Sequence, residues 1–138
     1  MKPTFKAQPM QVQIPATSAN LGPGFDCLGL ALNMHDRYMA QVMDEAGVDI
    51  DVTGEGAENV PTTEKNLVIK AMYKGFDFLG GRPRGISLRQ LNVIPHGRGL
   101  GSSAAAIVGG LALARALVLG GNERMSHEDM LNIANEME

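Results

Sequence analysis

The chain has 138 residues and a formal net charge of −3 at pH 7, with one cysteine, Cys27, and an N-terminus that lacks the apolar core of a signal peptide. The length suits one domain with its own core, and the mildly acidic balance argues against a nucleic-acid partner, which a basic excess would accompany. A lone cysteine excludes an internal disulfide and fits a reducing cytoplasm.

The first half of the chain contains short segments in which apolar and polar residues alternate, and this period of two predicts β-strands. The predicted strands are residues 10–14, ended by Pro15, part of residues 28–32, and residues 38–43 and 48–52, with loops over 16–24 and 54–63 and a turn at 45–47. Another strand is predicted for residues 86–93. Its alternation shifts by one residue at Arg89-Gln90, which indicates a β-bulge.

Three segments have the spacing of apolar residues that is typical of helices. The first covers residues 65–79 and ends at Gly80-Gly81, and the second covers residues 102–119 and ends at Gly120-Gly121. Ser126 and Asp129 have the spacing of a capping box and begin a third helix. The order of strands and helices predicts an α+β domain, with helices packed on one face of a mostly antiparallel sheet.

The small and apolar residues of segment 104–119 do not indicate a membrane span. The segment is shorter than the roughly 20 apolar residues that a spanning helix needs, and it contains Arg115. We therefore expect it to pack closely inside a core, with no membrane partner. The chain stops at Glu138 within the third predicted helix, without a residue that ends a helix. We therefore expect residues 1–138 to be a truncated part of a longer protein.

The segment before the second helix combines Gly97, Gly99 and Gly101 with Ser102 and Ser103. Such a segment lets backbone N–H groups converge on an anion at a helix N-terminus, where the macrodipole also favours negative charge. It does not match the common nucleotide P-loop, which needs a lysine after the last glycine, or the GxGxxG dinucleotide fingerprint. A tight turn that uses glycine for backbone freedom alone is the alternative interpretation.

Residues 95–105 resemble the central phosphate-binding motif of the GHMP kinases, Pro-x-Gly-x-Gly-Leu-Gly-Ser-Ser-x-Ala, without a departure. The resemblance implies that residues 1–138 are the N-terminal, ATP-binding domain of that family and that the C-terminal domain is absent from this chain. In the family this loop surrounds the phosphates of ATP, and the residue matching Ser103 coordinates Mg²⁺. The implied ATP-binding residues are Asn66, Pro95, His96, Gly97, Arg98, Gly99, Leu100, Gly101, Ser102 and Ser103.

An earlier polar loop carries Asn20 and Asp26, with glycines between them. An amide offers a donor and an acceptor and a carboxylate suits an ammonium group, whereas an Asx-type turn is the structural alternative. The run Pro-Ala-Thr-Ser-Ala-Asn-Leu-Gly-Pro-Gly-Phe-Asp, residues 15–26, resembles the opening of the homoserine kinases, one branch of the GHMP family. That resemblance implies that Asn20 and Asp26 contact L-homoserine.

Two further positions match the family. The resemblance places Asn66 near the adenine of ATP, and the alternative for this residue is an N-cap of the first helix. It also implies a helix glutamate that completes the Mg²⁺ site, and Glu136 and Glu138 both fall in that region. The sequence does not choose between these two glutamates.

The resemblance implies ATP-dependent transfer of the γ-phosphoryl group to the hydroxyl of L-homoserine, a step of threonine biosynthesis, by a cytoplasmic enzyme for which a homodimer is left open. Alignment of the reactants and charge neutralisation are the main demands of such a transfer, and we identify no general base in the sequence. The alternatives are another GHMP kinase with a different small alcohol as acceptor, or a nucleotide-binding module without catalysis.

Overall fold

The computed structural model describes residues 2–15, 35–93 and 102–138. Within these ranges the strands are β1 (Met10–Pro15), β2 (His35–Met43), β3 (Gly47–Gly54) and β4 (Gly85–Asn92). The helices are α1 (Leu67–Leu79), α2 (Ser102–Leu117), the short α3 (Gly121–Arg124) and α4 (His127–Met137), with one 3₁₀ turn at Ala57–Asn59. The strand predicted within residues 28–32 lies outside the described residues.

The described strands form one sheet in the order β1-β2-β4-β3. β1 pairs with β2 and β2 pairs with β4 in antiparallel fashion, whereas β3 pairs with β4 in parallel. The prediction of a mostly antiparallel sheet in an α+β domain is therefore confirmed, with one parallel pair. That pair is possible because α1 lies between β3 and β4 in the chain and carries it back across the sheet.

One face of the sheet is covered by α1 and α2, and the core lies between them. Seven residues of α1 are buried, including Met72, Phe76 and Leu79 of the predicted apolar stripe. The small residues of α2 let it approach closely, as predicted: a Cβ added to Gly109 would overlap the ring of Tyr38, and one added to Gly110 would lie 2.5 Å from the carbonyl oxygen of Val68.

The prediction of a β-bulge in β4 is wrong. The pairing of β2 with β4 runs without interruption from Arg37↔Leu91 to Met43↔Gly85. Ile86, Leu88, Gln90 and Asn92 alternate on the buried side, and Leu91 points outward. The apolar pattern shifts by one residue because Gln90 and Asn92, which are polar, face inward. A pattern of apolar residues alone does not identify polar residues that face inward.

The helix boundaries agree with the predictions to within two residues. α1 begins after Asn66 and ends at Gly80, whose φ of 116° is left-handed, a conformation that glycine adopts at little cost. α2 ends at Leu117, where the chain bonds to the N-terminal segment instead of continuing the helix: the N–H of Lys6 donates to Leu117 O (2.7 Å), and the N–H of Leu119 donates to Thr4 O (2.8 Å). The predicted capping box of Ser126 and Asp129 is present at the start of α4. The short α3 was not predicted.

Candidate functional site

A cavity of about 250 Å³ lies where the sheet, the loop before α1 and the start of α2 meet. Its apolar walls come from the loop and the two helices, and its polar groups come mainly from β2, β4 and Ser103. The lining residues are Asp36, Tyr38, Asn59, Val60, Pro61, Lys65, Leu67, Gln90, Asn92, Ser103 and Ala106. Asn92 and Ser103 flank the glycine-rich segment on its two sides in the chain.

Asn66 is fully buried beside this cavity and uses its whole side-chain amide for structure. Its Oδ1 accepts from the backbone N–H groups of Val68 (2.8 Å) and Ile69 (3.3 Å), which makes it the N-cap of α1. Its Nδ2 donates to Pro61 O and to Gln90 Oε1, both at 3.0 Å. An asparagine amide has two donors and two acceptor positions, and these four hydrogen bonds occupy all of them. The N-cap interpretation is confirmed, and a contact between Asn66 and ATP stays a prediction.

The amide chain continues from Asn66 into the cavity. Gln90 Nε2 donates to Asn92 Oδ1 at 3.0 Å. Asn92 is 2% exposed, and its buried Nδ2 has no hydrogen-bond partner within the described part of the chain. Buried polar groups normally find a partner, so this donor requires an explanation.

A second buried pair shapes the same wall. Asp36 is buried, and it accepts hydrogen bonds from the Tyr38 hydroxyl (2.9 Å) and from the backbone N–H of Val93 (2.7 Å). Burial and the neighbouring Asp36 carboxylate raise the pKa of Tyr38 far above its usual range, so its hydroxyl remains a donor. Asp36 thus anchors the backbone where β4 ends and the glycine-rich segment begins.

Ser103 lies in the first turn of α2, is exposed and lines the cavity. α4 runs antiparallel to α2. Arg115 near the end of α2 contacts His127 at the start of α4 (Nη2···Nε2 3.3 Å), whereas Met137 near the end of α4 packs against the cluster of Ala71, Ile107 and Leu111. The C-terminal end of α4, with its candidate glutamates, therefore lies toward the end of α2 that carries Ser103.

The candidate Mg²⁺ ligands have suitable chemistry. A hydroxyl and a carboxylate supply the oxygen atoms that Mg²⁺ prefers, and Glu136 and Glu138 are both exposed and free of a described ion pair. Among residues 2–15, 35–93 and 102–138, no group of three or more His, Cys, Asp or Glu could hold a metal.

The remaining predicted site residues lie outside the described residues. They are Asn20 and Asp26 of the earlier loop, and Pro95, His96, Gly97, Arg98, Gly99, Leu100 and Gly101 of the glycine-rich segment. The backbone of Ser102 begins α2. In the described part of the molecule, no helix has the length and apolar character to cross a membrane.

Of the residues that line the cavity, sequence reasoning identified only Ser103 as a site residue. The polar residues that it missed on the sheet are Asp36 and Tyr38 of β2 and Gln90 and Asn92 of β4. The available signal was the strict alternation of positions 86, 88, 90 and 92, in which polar residues replace apolar ones at the last two. Polar residues that face inward at the end of a strand indicate a polar site or a buried hydrogen-bond network. Gln90 and Asn92 line the cavity and also belong to such a network.

Comparison with known proteins gives a consistent result. Residues 66–138 match the model of the GHMP kinases N terminal domain. A protein of Streptomyces coelicolor named homoserine kinase is 50% identical over 136 residues, which are 99% of this chain and 44% of that protein.

Solved structures agree with this match. A crystal structure of homoserine kinase from Cytophaga hutchinsonii is 31% identical with a TM-score of 0.73, over 96% of this chain and 41% of that one. A mevalonate kinase from Methanococcus jannaschii, 14% identical with a TM-score of 0.68 over 96% of this chain and 47% of that one, shares the fold. The chain thus spans less than half the length of these relatives, and it belongs to the GHMP kinase family, as an N-terminal domain of that family.

Proposed function

We propose that this chain is the nucleotide-binding domain of an ATP-dependent kinase that phosphorylates the side-chain hydroxyl of L-homoserine. The observation that carries the proposal is the cavity lined by Asn92, three residues before the complete GHMP phosphate-binding motif, and by Ser103, which belongs to that motif. The choice of homoserine is supported by relatives of that name, which align over nearly the whole chain. Residues 15–26, with Asn20 and Asp26, lie within that alignment.

The proposed roles follow from charge. The glycine-rich segment, residues 95–101, presents backbone donors to the phosphates at the N-terminus of α2, where the helix dipole favours an anion. Mg²⁺ neutralises phosphate charge when bound, and Ser103 with Glu136 or Glu138 would hold it. Asp26 pairs with the ammonium group of homoserine and Asn20 bonds to its polar groups. We assign no general base, since positioning and charge neutralisation supply most of the catalysis in this reaction.

The product, O-phospho-L-homoserine, would enter threonine biosynthesis in the cytoplasm. The proposed reaction involves neither nucleic acid nor a membrane, and a homodimer is the assembly to test. A GHMP kinase that acts on another small alcohol is the second candidate, because the described cavity concerns the nucleotide alone. A domain that binds nucleotide without phosphoryl transfer is the third.

The deciding experiment measures ADP release by the complete protein over a panel of alcohols that includes L-homoserine, L-serine and mevalonate. We expect Mg²⁺-dependent release with L-homoserine far above the others. Preference for another alcohol selects the second candidate, and tight Mg·ATP binding without release selects the third. Asp26→Asn should raise the homoserine KM, and a variant that loses kcat at unchanged KM contradicts the binding role.

The same assay separates the two glutamates. Either Glu136→Gln or Glu138→Gln should raise the Mg²⁺ concentration needed for half-maximal rate by about tenfold, the effect of losing one charged contact of about 1.4 kcal/mol. Glu128→Gln, an exposed change at the opposite end of α4, is the matched control. Equal Mg²⁺ requirements for all three variants would exclude α4 from the metal site.

A further inference from the structure

The carboxylate of Asp36 continues the connection between β2 and β4 beyond the end of their backbone ladder. That ladder ends at the pair Arg37↔Leu91, although β2 extends to His35, where it still pairs with β1. The backbone N–H of Val93 donates to Asp36 Oδ1 at 2.7 Å. Because Asp36 is buried, water competes little for this hydrogen bond. Asp36 therefore holds the chain as it leaves β4, at the last described residue before the glycine-rich segment.

The other oxygen of Asp36 connects to the support of α2. Oδ2 accepts a hydrogen bond from the hydroxyl of Tyr38 at 2.9 Å, and the ring of Tyr38 is fully buried against Gly109. A Cβ at position 109 would lie 2.4 Å from Cδ2 and Cε2 of that ring, so no side chain separates the backbone of α2 from Tyr38. About two helical turns, roughly 10 Å, join this contact to Ser102, the first residue of α2. The Tyr38 ring therefore sets the position of the N-terminal part of α2 above β2.

One buried pair thus contacts the chain on both sides of the glycine-rich segment. Asp36 binds Val93, which precedes the segment, and Tyr38 supports α2, which follows it. The Tyr38–Asp36 hydrogen bond joins these two supports, so the loss of either side chain should change the separation of Val93 and the start of α2. Fixed ends reduce the conformational entropy that a binding segment loses when it binds a ligand. They also matter for the reaction rate, because a misplacement of about 1 Å can cost about 10²-fold.

We propose that Asp36 and Tyr38 are positioning residues for phosphoryl transfer, which hold Val93 and the first turn of α2 at the separation that binding of the nucleotide phosphates requires. This assignment rests on the proposed function, because it assumes that the GHMP motif binds the phosphates of ATP. The two side chains act through Val93 and α2, without contact with the nucleotide. The hydrogen bonds of Asp36 carry this role, and its negative charge does not.

Tyr38→Phe tests the proposal with little change in packing, since it removes the hydroxyl and keeps the ring that supports Gly109. The variant is measured in the complete protein at a temperature where circular dichroism shows it to be folded. Its kcat should fall about tenfold and its Kd for magnesium tripolyphosphate should rise about tenfold, a smaller effect than that of a 1 Å misplacement because the bond from Val93 to Asp36 remains. Its KM for L-homoserine should stay within about twofold of wild type.

Tyr73→Phe, the same change at a partly exposed tyrosine of α1, is the matched control and should leave all three quantities within about twofold of wild type. A folded Tyr38→Phe variant with unchanged kcat and unchanged tripolyphosphate Kd overturns the proposal. A rise in the homoserine KM as large as the rise in the tripolyphosphate Kd also overturns it, because a general loss of geometry would then explain both.

Asp36→Asn and Asp36→Leu separate hydrogen bonding from charge. The asparagine is neutral but keeps an oxygen for the N–H of Val93, and its amide can donate to the Tyr38 hydroxyl, so kcat should stay within about threefold of wild type. The leucine has a similar shape without an acceptor, and kcat should fall by about 10²-fold. An asparagine variant as impaired as the leucine variant overturns the proposal in favour of a role for the charge. If the leucine variant does not fold, near-wild-type kcat in Asp36→Asn together with the tenfold loss in Tyr38→Phe is the result that the proposal requires.

Hydrogen exchange of the Val93 amide measures the positioning directly. Its protection factor should fall at least about tenfold in Tyr38→Phe and stay at the wild-type value in Tyr73→Phe, because local opening at Val93 is then easier. Equal protection in all three proteins overturns the link between the hydroxyl and Val93. If the wild type neither binds magnesium tripolyphosphate nor turns over, the proposed function itself fails. If the wild type does both and the folded Tyr38→Phe variant equals it, only the positioning role fails.

Discussion

Replacing Asn66 by alanine should destabilise the fold as well as the cavity. The change removes the N-cap of α1, worth about 1 kcal/mol, and it leaves the buried Gln90 Oε1 without its donor, which costs about 1–3 kcal/mol. The sum is about 3 kcal/mol of unfolding free energy. At about 4 °C per kcal/mol for a domain of this size, the Tm should fall by about 12 °C. Urea denaturation followed by circular dichroism measures the change.

Asn66→Ser divides this loss into its two parts. Serine caps helices about as well as asparagine, so this variant should retain the cap and lose the two bonds that Nδ2 donates, to Gln90 Oε1 and to Pro61 O, for a cost of about 2 kcal/mol. Asn132→Ala, on the exposed side of α4, should change stability by less than about 0.5 kcal/mol. The reasoning is refuted if Asn66→Ala unfolds within about 0.5 kcal/mol of wild type, or if the serine variant is as unstable as the alanine variant.

Three further changes probe other contacts. Gly109→Ala should lower the unfolding free energy by about 1–2 kcal/mol, because the overlap with the buried Tyr38 ring outweighs the ~1 kcal/mol gain in helix propensity. A raised Tm would contradict the close packing. Ser126→Ala should cost about 1 kcal/mol by loss of the capping box, whereas Ser126→Asp should stay near wild type. The hydrogen bonds from Arg82 lower the pKa of Asp77, so this pair stabilises the fold above the unfolded pKa of about 4, and the stabilisation disappears as the pH falls through the lower folded value. Because both side chains are about half exposed, the difference between wild type and Asp77→Asn should be under about 1 kcal/mol at pH 7 and vanish near pH 2 or in 1 M salt, and a difference that persists under both conditions would exclude an electrostatic origin.

Local sequence signals were sufficient for most of the described elements. Alternation predicted β1 and β3, and the capping box of Ser126 and Asp129 predicted where α4 begins, because these features depend on neighbours within a few residues. The phosphate-binding motif and the family were also recognisable from contiguous residues. The end of α2 was misplaced by two residues, since it depends on a hydrogen bond from Lys6, more than a hundred positions away.

The inward position of Gln90 and Asn92 shows where local reasoning stops. A strand has two faces, and polarity alone assigned these residues to the solvent side and produced a false bulge. The register of β2 against β4 and the helices over one face place them inside. There Asn66 donates to Gln90 and Gln90 donates to Asn92, and these hydrogen bonds make the burial tolerable. A polar residue is stable in a core only if a partner from another element reaches it, and a single sequence does not contain that information.

By itself, the sequence determined the α+β class, the helix caps and the glycine-rich segment, because short-range geometry and contiguous motifs specify them. The tertiary structure decided how Asp36 comes to hold the backbone of Val93, 57 positions away, and which buried amide of β4 keeps a donor without a partner in the described part of the chain. Hydrogen bonds between distant elements determine the orientation of each buried polar group, so the recognition properties of the site arise only when the sheet, the loop and the two helices meet.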